Sequence, residues 1–224
     1  MVYNCGMSES PLKTHLFEQL AQVSKALSHA NRLMILDVLM QGECDVETLQ
    51  NKVGLSLANV SKHLQSLKQA GLVVFERRGQ RMVYSLSDPK VYHLIHALRE
   101  VAESQLTTMQ ALLAEHLQLD TPMAPISLAQ LQQLPQPIKL LDVRPADEFA
   151  AGHIPSAINV PIDQLADHLP FFQDDATIVV YCRGPYCLWS QQAVDTLQAQ
   201  GFQAKRLAEG YPDWQARDTA STTD

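Results

Sequence analysis

Thr177-Ile178-Val179-Val180-Tyr181-Cys182-Arg183-Gly184-Pro185-Tyr186-Cys187 is the stretch on which the fold of the second half turns. Its first five residues are an unbroken β-branched and aromatic run, as expected of a strand buried on both faces. Residues 188–200 then carry apolar side chains at helical spacing. Cys182 therefore falls at a strand-to-helix turn, where backbone N–H groups converge and the helix dipole favours negative charge. That field stabilises a thiolate and any anion attached to it. Gly184 permits a tight curl, Arg183 brings a positive charge, and Gly184, Pro185 and Tyr186 complete a candidate anion cradle. Cys182 with Arg183 is the candidate reactive pair.

Outward from this loop, strand patterns at 139–143, 177–181 and 204–207 alternate with helix patterns at 146–151, 162–169 and 188–200. Alternation of that kind implies a parallel sheet covered on both faces. Upstream, Asp120-Thr121-Pro122-Met123-Ala124-Pro125 breaks a long helical pattern with two prolines, and a short linker is placed at 119–126. The expected division is 1–118, linker 119–126, 127–218, and a polar tail 219–224.

The first half reads mainly helical. Leu16, Leu20, Val23 and Leu27 mark one helical stripe, and residues 31–40 form a compact apolar helix. Asp45 is an N-cap for a helix over 46–53 that Gly54 stops, and Ser56 caps the next. Leu57, Val60, Leu64 and Leu67 are expected to face inward there, with Gly71 ending the helix. Strands at 72–76 and 82–86 flank Arg77-Arg78-Gly79-Gln80-Arg81, and a last helix is expected over 89–117. Two short helices followed by a basic hairpin spell a winged helix-turn-helix. Its second helix offers the major groove Ser56, Ala58, Asn59, Ser61, Lys62, His63 and Gln65, small and polar enough for close approach to base edges. Lys62, Lys68 and the hairpin arginines Arg77, Arg78 and Arg81 suit phosphates or the minor groove.

The net charge is −7, and the excess acid lies beyond residue 120, so DNA contact must come from a local basic patch. No apolar run reaches the roughly 18 residues of a membrane span, and the first ten residues lack an export signal. Four cysteines make no disulfide scaffold. The expected compartment is a reducing cytoplasm.

The stretch "ALSHANRLMILDVLMQGECDVETLQNKVGLSLANVSKHLQSLKQAGLVVFERRGQRMVYSL" resembles the ArsR family of winged-helix repressors across roughly 15–115. The resemblance implies a homodimer, with the first and last helices packing across the two-fold, on double-stranded operator DNA. Many members of that family sense metals through a Cys-x-Cys pair at the third helix. Here Gly42-Glu43-Cys44-Asp45-Val46-Glu47 offers one cysteine, out of place. A second family site lies on the last helix, where Asp88, His93, His96, Glu100 and Glu103 depart from its spacing and read as a polar face. Cys44 reads as packing and Cys5 as incidental. No metal and no cofactor is assigned.

"LLDVRPADEFAAGHIPSAINVP", the cysteine loop and "RLAEGYPDW" resemble the rhodanese domain across roughly 126–217. The expected fold class is thus two domains, a mainly α winged helix-turn-helix followed by an α/β rhodanese-like domain with a parallel central sheet. By that resemblance Cys182 is a sulfur-carrying nucleophile forming a persulfide, while Asp142, Arg144 and His153 hold the fold. Many rhodaneses place a basic residue at the sixth loop position. Here it is Cys187, so binding of a dianionic donor should weaken. The related Cys-x5-Arg phosphatases and arsenate reductases need an arginine where Leu188 stands, which argues against those activities. Cys187 is a possible redox partner that cross-links to Cys182, or else a hydrophobic filler at the loop end.

The expected function is a transcriptional regulator, read as a repressor, that senses or processes reactive sulfur, its partners being DNA, a second copy, and a sulfane-sulfur donor or thiol acceptor. The alternatives are a working sulfurtransferase placed or controlled by the DNA module, and a metal- or arsenic-responsive repressor. No membrane association is expected.

Overall fold

The computed structural model describes residues 11–117, 125–135, 137–172 and 176–221. Cys5 and most of the expected linker, 119–124, lie outside the described residues. The chain divides into two units, Met1–Leu39 with Cys44–Asp88, and Met40–Glu43 with Pro89–Asp224.

In the first unit, α1 (Pro11–Leu27) and α2 (Ala30–Met40) precede the short strand β1 (Cys44–Asp45), α3 (Val46–Val53), α4 (Leu57–Gln69), β2 (Val73–Arg78) and β3 (Arg81–Leu86). The expected caps form. The Asp45 carboxylate accepts from the Thr48 N–H at 2.9 Å, and the Ser56 hydroxyl from that of Asn59 at 3.4 Å. Gly54 takes the left-handed conformation, φ 67°, that closes α3. β1, β3 and β2 form an antiparallel sheet in that order, its two-residue member β1 too short to be signalled by any pattern. Ile35, Leu36, Leu49, Val60, Leu64 and Leu67 are fully buried. Leu57 corrects the inward-facing expectation. It remains 49% exposed because it holds the first position of α4, and Val60, one turn on, is the first side chain of that stripe to be covered. Leu12, Leu16, Phe17 and Leu20 leave α1 with an exposed apolar face.

The second unit contains α5 (Pro89–Gln105) and α6 (Thr107–Leu117), where one helix was expected. The break at Leu106 frees carbonyls at the end of α5, and the Gln110 amide donates to those of Glu103 and Ser104 at 3.0 and 3.1 Å. There follow α7 (Leu128–Leu131), β4 (Ile138–Asp142), α8 (Ala146–Ala151), β5 (Ile158–Asn159), α9 (Leu165–His168) between two 3-10 turns, β6 (Thr177–Tyr181), α10 (Leu188–Ala199), β7 (Ala204–Arg206) and α11 (Tyr211–Ser221). α11 runs into the stretch expected as a tail. The helix expected over 162–169 is interrupted, only Leu165–His168 being α-helical.

The four strands are all parallel, in the order β5-β4-β6-β7. β6 is central and covered on both sides. Ile178, Val180 and Cys182 join Leu165, Ala193, Val194 and Leu197 in one cluster. Val179 and Tyr181 join Ile154, Leu207 and Tyr211 in the other. Alternate residues thus enter opposite cores, which is why the run carries no polar face. At the end of β4, the Arg144 guanidinium grips the Asp142 carboxylate, with Nε 3.0 Å from each oxygen and Nη2 2.6 Å from Oδ2. Both side chains are completely buried.

Removing one member of a buried ion pair strands the other charge. Arg144→Leu is expected to destabilise the second unit by about 3–5 kcal/mol, seen as an earlier urea midpoint for its unfolding; an unchanged midpoint contradicts this account of the pair.

Candidate functional site

Cys182 lies where β6 leaves the sheet and is 2% exposed. It is joined to Cys187 by a disulfide with Cα atoms 6.2 Å apart, inside the usual range of roughly 4.4–6.8 Å. Cys187 is also the N-cap of α10. The loop between them is held by its carbonyls. That of Cys182 accepts from the Tyr211 N–H at 3.4 Å and that of Gly184 from the Cys187 N–H at 3.1 Å. That of Arg183 accepts from the Gln41 amide at 3.0 Å, and that of Pro185 from the Arg206 guanidinium. The Cys187 carbonyl accepts from the Ser190 hydroxyl at 3.1 Å.

Arg183, expected to lend its charge to the sulfur, is engaged elsewhere. Its Nε and Nη2 donate to the Glu148 carboxylate at 2.9 and 2.6 Å, and the guanidinium lies 4.7 Å from the Trp189 ring centroid. Its charge is therefore largely compensated. Gly184 starts the turn that Cys187 closes, but it has no left-handed φ, and a Cβ there would meet nothing nearer than Asp213 Oδ2 at 4.0 Å, so the curl does not depend on its being glycine. A Cβ on Gly210 would fall 2.4 Å from the Arg183 carbonyl group and 2.5 Å from the Gly184 nitrogen, so only glycine fits beside the loop. The Gly210 N–H donates to Asp213 Oδ2 at 2.7 Å. Asp213 Oδ1 accepts from the Tyr92 hydroxyl at 2.8 Å and from Arg99 Nη2 at 3.0 Å. Tyr186 donates its hydroxyl to Glu103 Oε1 at 2.7 Å. Burial, then the Glu103 carboxylate, raises the Tyr186 pKa, and burial, then Asp213, raises that of Tyr92. Both phenols therefore stay protonated donors. Asp142 and Arg144 form the buried pair already described, and His153 stacks on Phe149 at 3.8 Å.

On the first unit, Ser56, Ala58, Asn59, Lys62 and Gln65 are exposed along α4, with Ser61 and His63 half-buried. Arg77, Arg78 and Arg81 are exposed at the β2–β3 tip. Arg78 pairs with Glu76 at 2.9 Å and Arg81 with Asp45 at 3.3 Å. Exposed pairs of this kind are worth little and can give way to phosphate. Lys68 sits 4.1 Å from the Phe75 ring centroid. His96 Nδ1 lies 3.5 Å from Glu100, and among the described residues no three His, Cys, Asp or Glu side chains are grouped to hold a metal. Cys44 is a buried thiol.

Sequence reading missed Gln41, Glu148, Arg206, Gly210 and Asp213. Arg206 carried a signal, a lone cation in a strand pattern otherwise apolar on that face. Gln41 carried none, since its partner lies 142 residues away.

The rhodanese-like domain family matches residues 125–217, and the bacterial regulatory protein, arsR family, matches 29–74. The HTH-type transcriptional regulator Rv0324 of Mycobacterium tuberculosis is 39% identical over 208 residues, covering 92% of this chain and 91% of that protein. NmtR of the same species, an HTH-type transcriptional regulator, is 38% identical over 86 residues, 38% of this chain and 72% of its own. A homodimeric winged helix-turn-helix DNA-binding domain from Mycobacterium bovis, Mb0332, is 39% identical with a TM-score of 0.42, covering 45% of this chain and 93% of that one. The chain belongs to the ArsR family of winged helix-turn-helix transcriptional regulators, in the form that carries a C-terminal rhodanese-like domain. No helix among the described residues is long and apolar enough to cross a membrane.

His63, on α4, packs against His29 with ring centroids 4.6 Å apart. Partial burial, then the charges of His29, Arg32 and Lys62, hold its pKa below the ordinary 6.5. The lowered value means that its contribution to stability is complete above pH 6.5 and is lost as the pH falls through the folded-state value. NMR titration of the His63 ring should give a midpoint below 6.5 that moves upward in His29→Ala; a midpoint indifferent to His29 contradicts the pairing.

Proposed function

We propose that this protein is a homodimeric, cytoplasmic repressor whose affinity for operator DNA is set by sulfur chemistry at Cys182 and Cys187. Residues 1–118 act as the DNA-binding and dimerisation domain and 127–218 as the sulfur domain, joined at 119–126. The exposed apolar face of α1 supports dimerisation, and the exposed polar face of α4 with the wing arginines supports DNA contact.

One observation carries the sulfur reading. Cys182 and Cys187 are close enough to be bonded, and the loop they close contains Tyr186, whose hydroxyl is bonded to Glu103 on α5. In the reduced protein the Cys182 thiolate attacks a sulfane sulfur of a polysulfide. The donor's S–S bond breaks, the shortened chain leaves as its anion, and Cys182 becomes a persulfide. The Cys187 thiolate then attacks the Cys182 Sγ. The disulfide forms and the terminal sulfur departs as hydrosulfide. Two thiols are oxidised and one sulfane sulfur is reduced, and a cellular thiol reverses the change. Bonding Cys187 to Cys182 constrains the loop, and Tyr186 passes that constraint to α5.

A second reading, a working sulfurtransferase, draws on the placement of Cys182 at the carboxyl end of a central parallel strand, where α/β sheets bind ligands. The burial of Cys182 and its bond to Cys187 weigh against steady turnover.

Fluorescence anisotropy with DNA from the upstream region decides between them. Polysulfide should weaken binding by about fivefold or more, the usual scale of allosteric coupling. Cys182→Ser should abolish the response and Tyr186→Phe should reduce it. Binding indifferent to polysulfide, together with sustained sulfur transfer to a thiol acceptor, overturns the switch in favour of the enzyme.

A further inference from the structure

Arg206 ends β7, paired with Val180 on β6, two residues before Cys182. It is 1% exposed. Its Nε donates to the Ser190 hydroxyl at 3.2 Å, and its Nη2 donates to the Pro185 carbonyl. Ser190 in turn donates to the Cys187 carbonyl. Both fixed partners of the guanidinium therefore belong to the disulfide loop or to the first turn of the helix after it. The third nitrogen, Nη1, is buried without a hydrogen-bond partner among the described residues.

The arginines around it differ in kind. Arg144 has Asp142, Arg183 has Glu148 and Arg99 has Asp213. Among the described residues Arg206 has neutral oxygens only as partners, and desolvation pushes its pKa down to about 10. A guanidinium buried with no carboxylate is a costly arrangement. A negative charge arising nearby during the protein's working cycle would offset that cost. The disulfide carries no charge. Opening it creates one at the sulfur, and so does adding a sulfur to Cys182.

We infer that Arg206 is the positioning cation of the sulfur site: when the disulfide opens, its uncompensated charge and free N–H hold the Cys182 sulfur as thiolate or persulfide anion and keep the loop closed around it. This rests on the sulfur reading of Cys182 given above. It gives Arg206 the part that the sequence assigned to Arg183, whose charge Glu148 has taken.

The test uses the reduced full-length protein. Alkylation by iodoacetamide is followed across pH with mass-spectrometric readout of the Cys182 peptide, in wild type, Arg206→Lys and Arg206→Gln. The wild-type midpoint should lie well below the ordinary thiol value of about 8.5. Arg206→Gln, which keeps a donor and loses the charge, should raise the midpoint by about one unit, a roughly tenfold loss of thiolate near neutrality. Arg206→Lys, which keeps the charge and loses the fork, should stay near wild type. A merely structural arginine would leave both variants less stable and neither midpoint moved. An ordinary midpoint in wild type or in Arg206→Lys overturns the inference, even if polysulfide still alters DNA binding. A depressed, charge-dependent midpoint with DNA binding indifferent to polysulfide upholds Arg206 and removes the switch instead.

Discussion

A half-buried backbone carbonyl needs a donor, and from Cys182 to Pro185 four consecutive ones require one. This requirement organises the second unit. Its donors are the backbone at the start of α11, the Gln41 amide, the Cys187 N–H and the Arg206 guanidinium. Three of the four come from parts of the chain far from the loop in sequence, so a loop of four residues between two cysteines is tied to much of the unit that contains it. The disulfide adds a covalent clamp to a curl that hydrogen bonds already define.

The buried charges follow the same economy of pairing. Asp142 and Arg144 neutralise one another at the end of β4, and Glu148 and Arg183 do so beside the loop. Such pairs seldom add much net stability, because desolvation offsets the attraction. They do fix orientation, since a guanidinium fork accepts few geometries. Against these pairs Arg206 is the exception.

Much of this was legible in the amino-acid order. The run from Thr177 to Cys182 gave a strand with two buried faces because alternate side chains enter two cores. Asp45, Ser56 and Gly54 announced the helix ends because caps act over three or four residues. The cysteine spacing allowed the cross-link without deciding it. What stayed hidden was long-range. Gln41 has no local reason to approach Arg183, and nothing near Glu148 says that it will claim that arginine. Leu57 followed the apolar period yet stayed exposed, because periodicity assigns a side to a helix but not the point at which its neighbours begin to cover it. The break at Leu106 was missed for a related reason, since the repair by Gln110 is a side-chain bond that leaves the apolar pattern intact.

The close approach of Gly210 to the loop has a consequence for how such a protein can diverge. The wall behind Arg183 and Gly184 is bare main chain, and no side chain can be introduced there without prising the loop away. Inherited change can therefore tune the disulfide loop only from its open side, where Tyr186 and Leu188 are partly exposed. Descendants with different chemical tastes would be expected to share an unvarying inner face and to differ in those outer residues, much as a lock keeps its casing while its wards are recut.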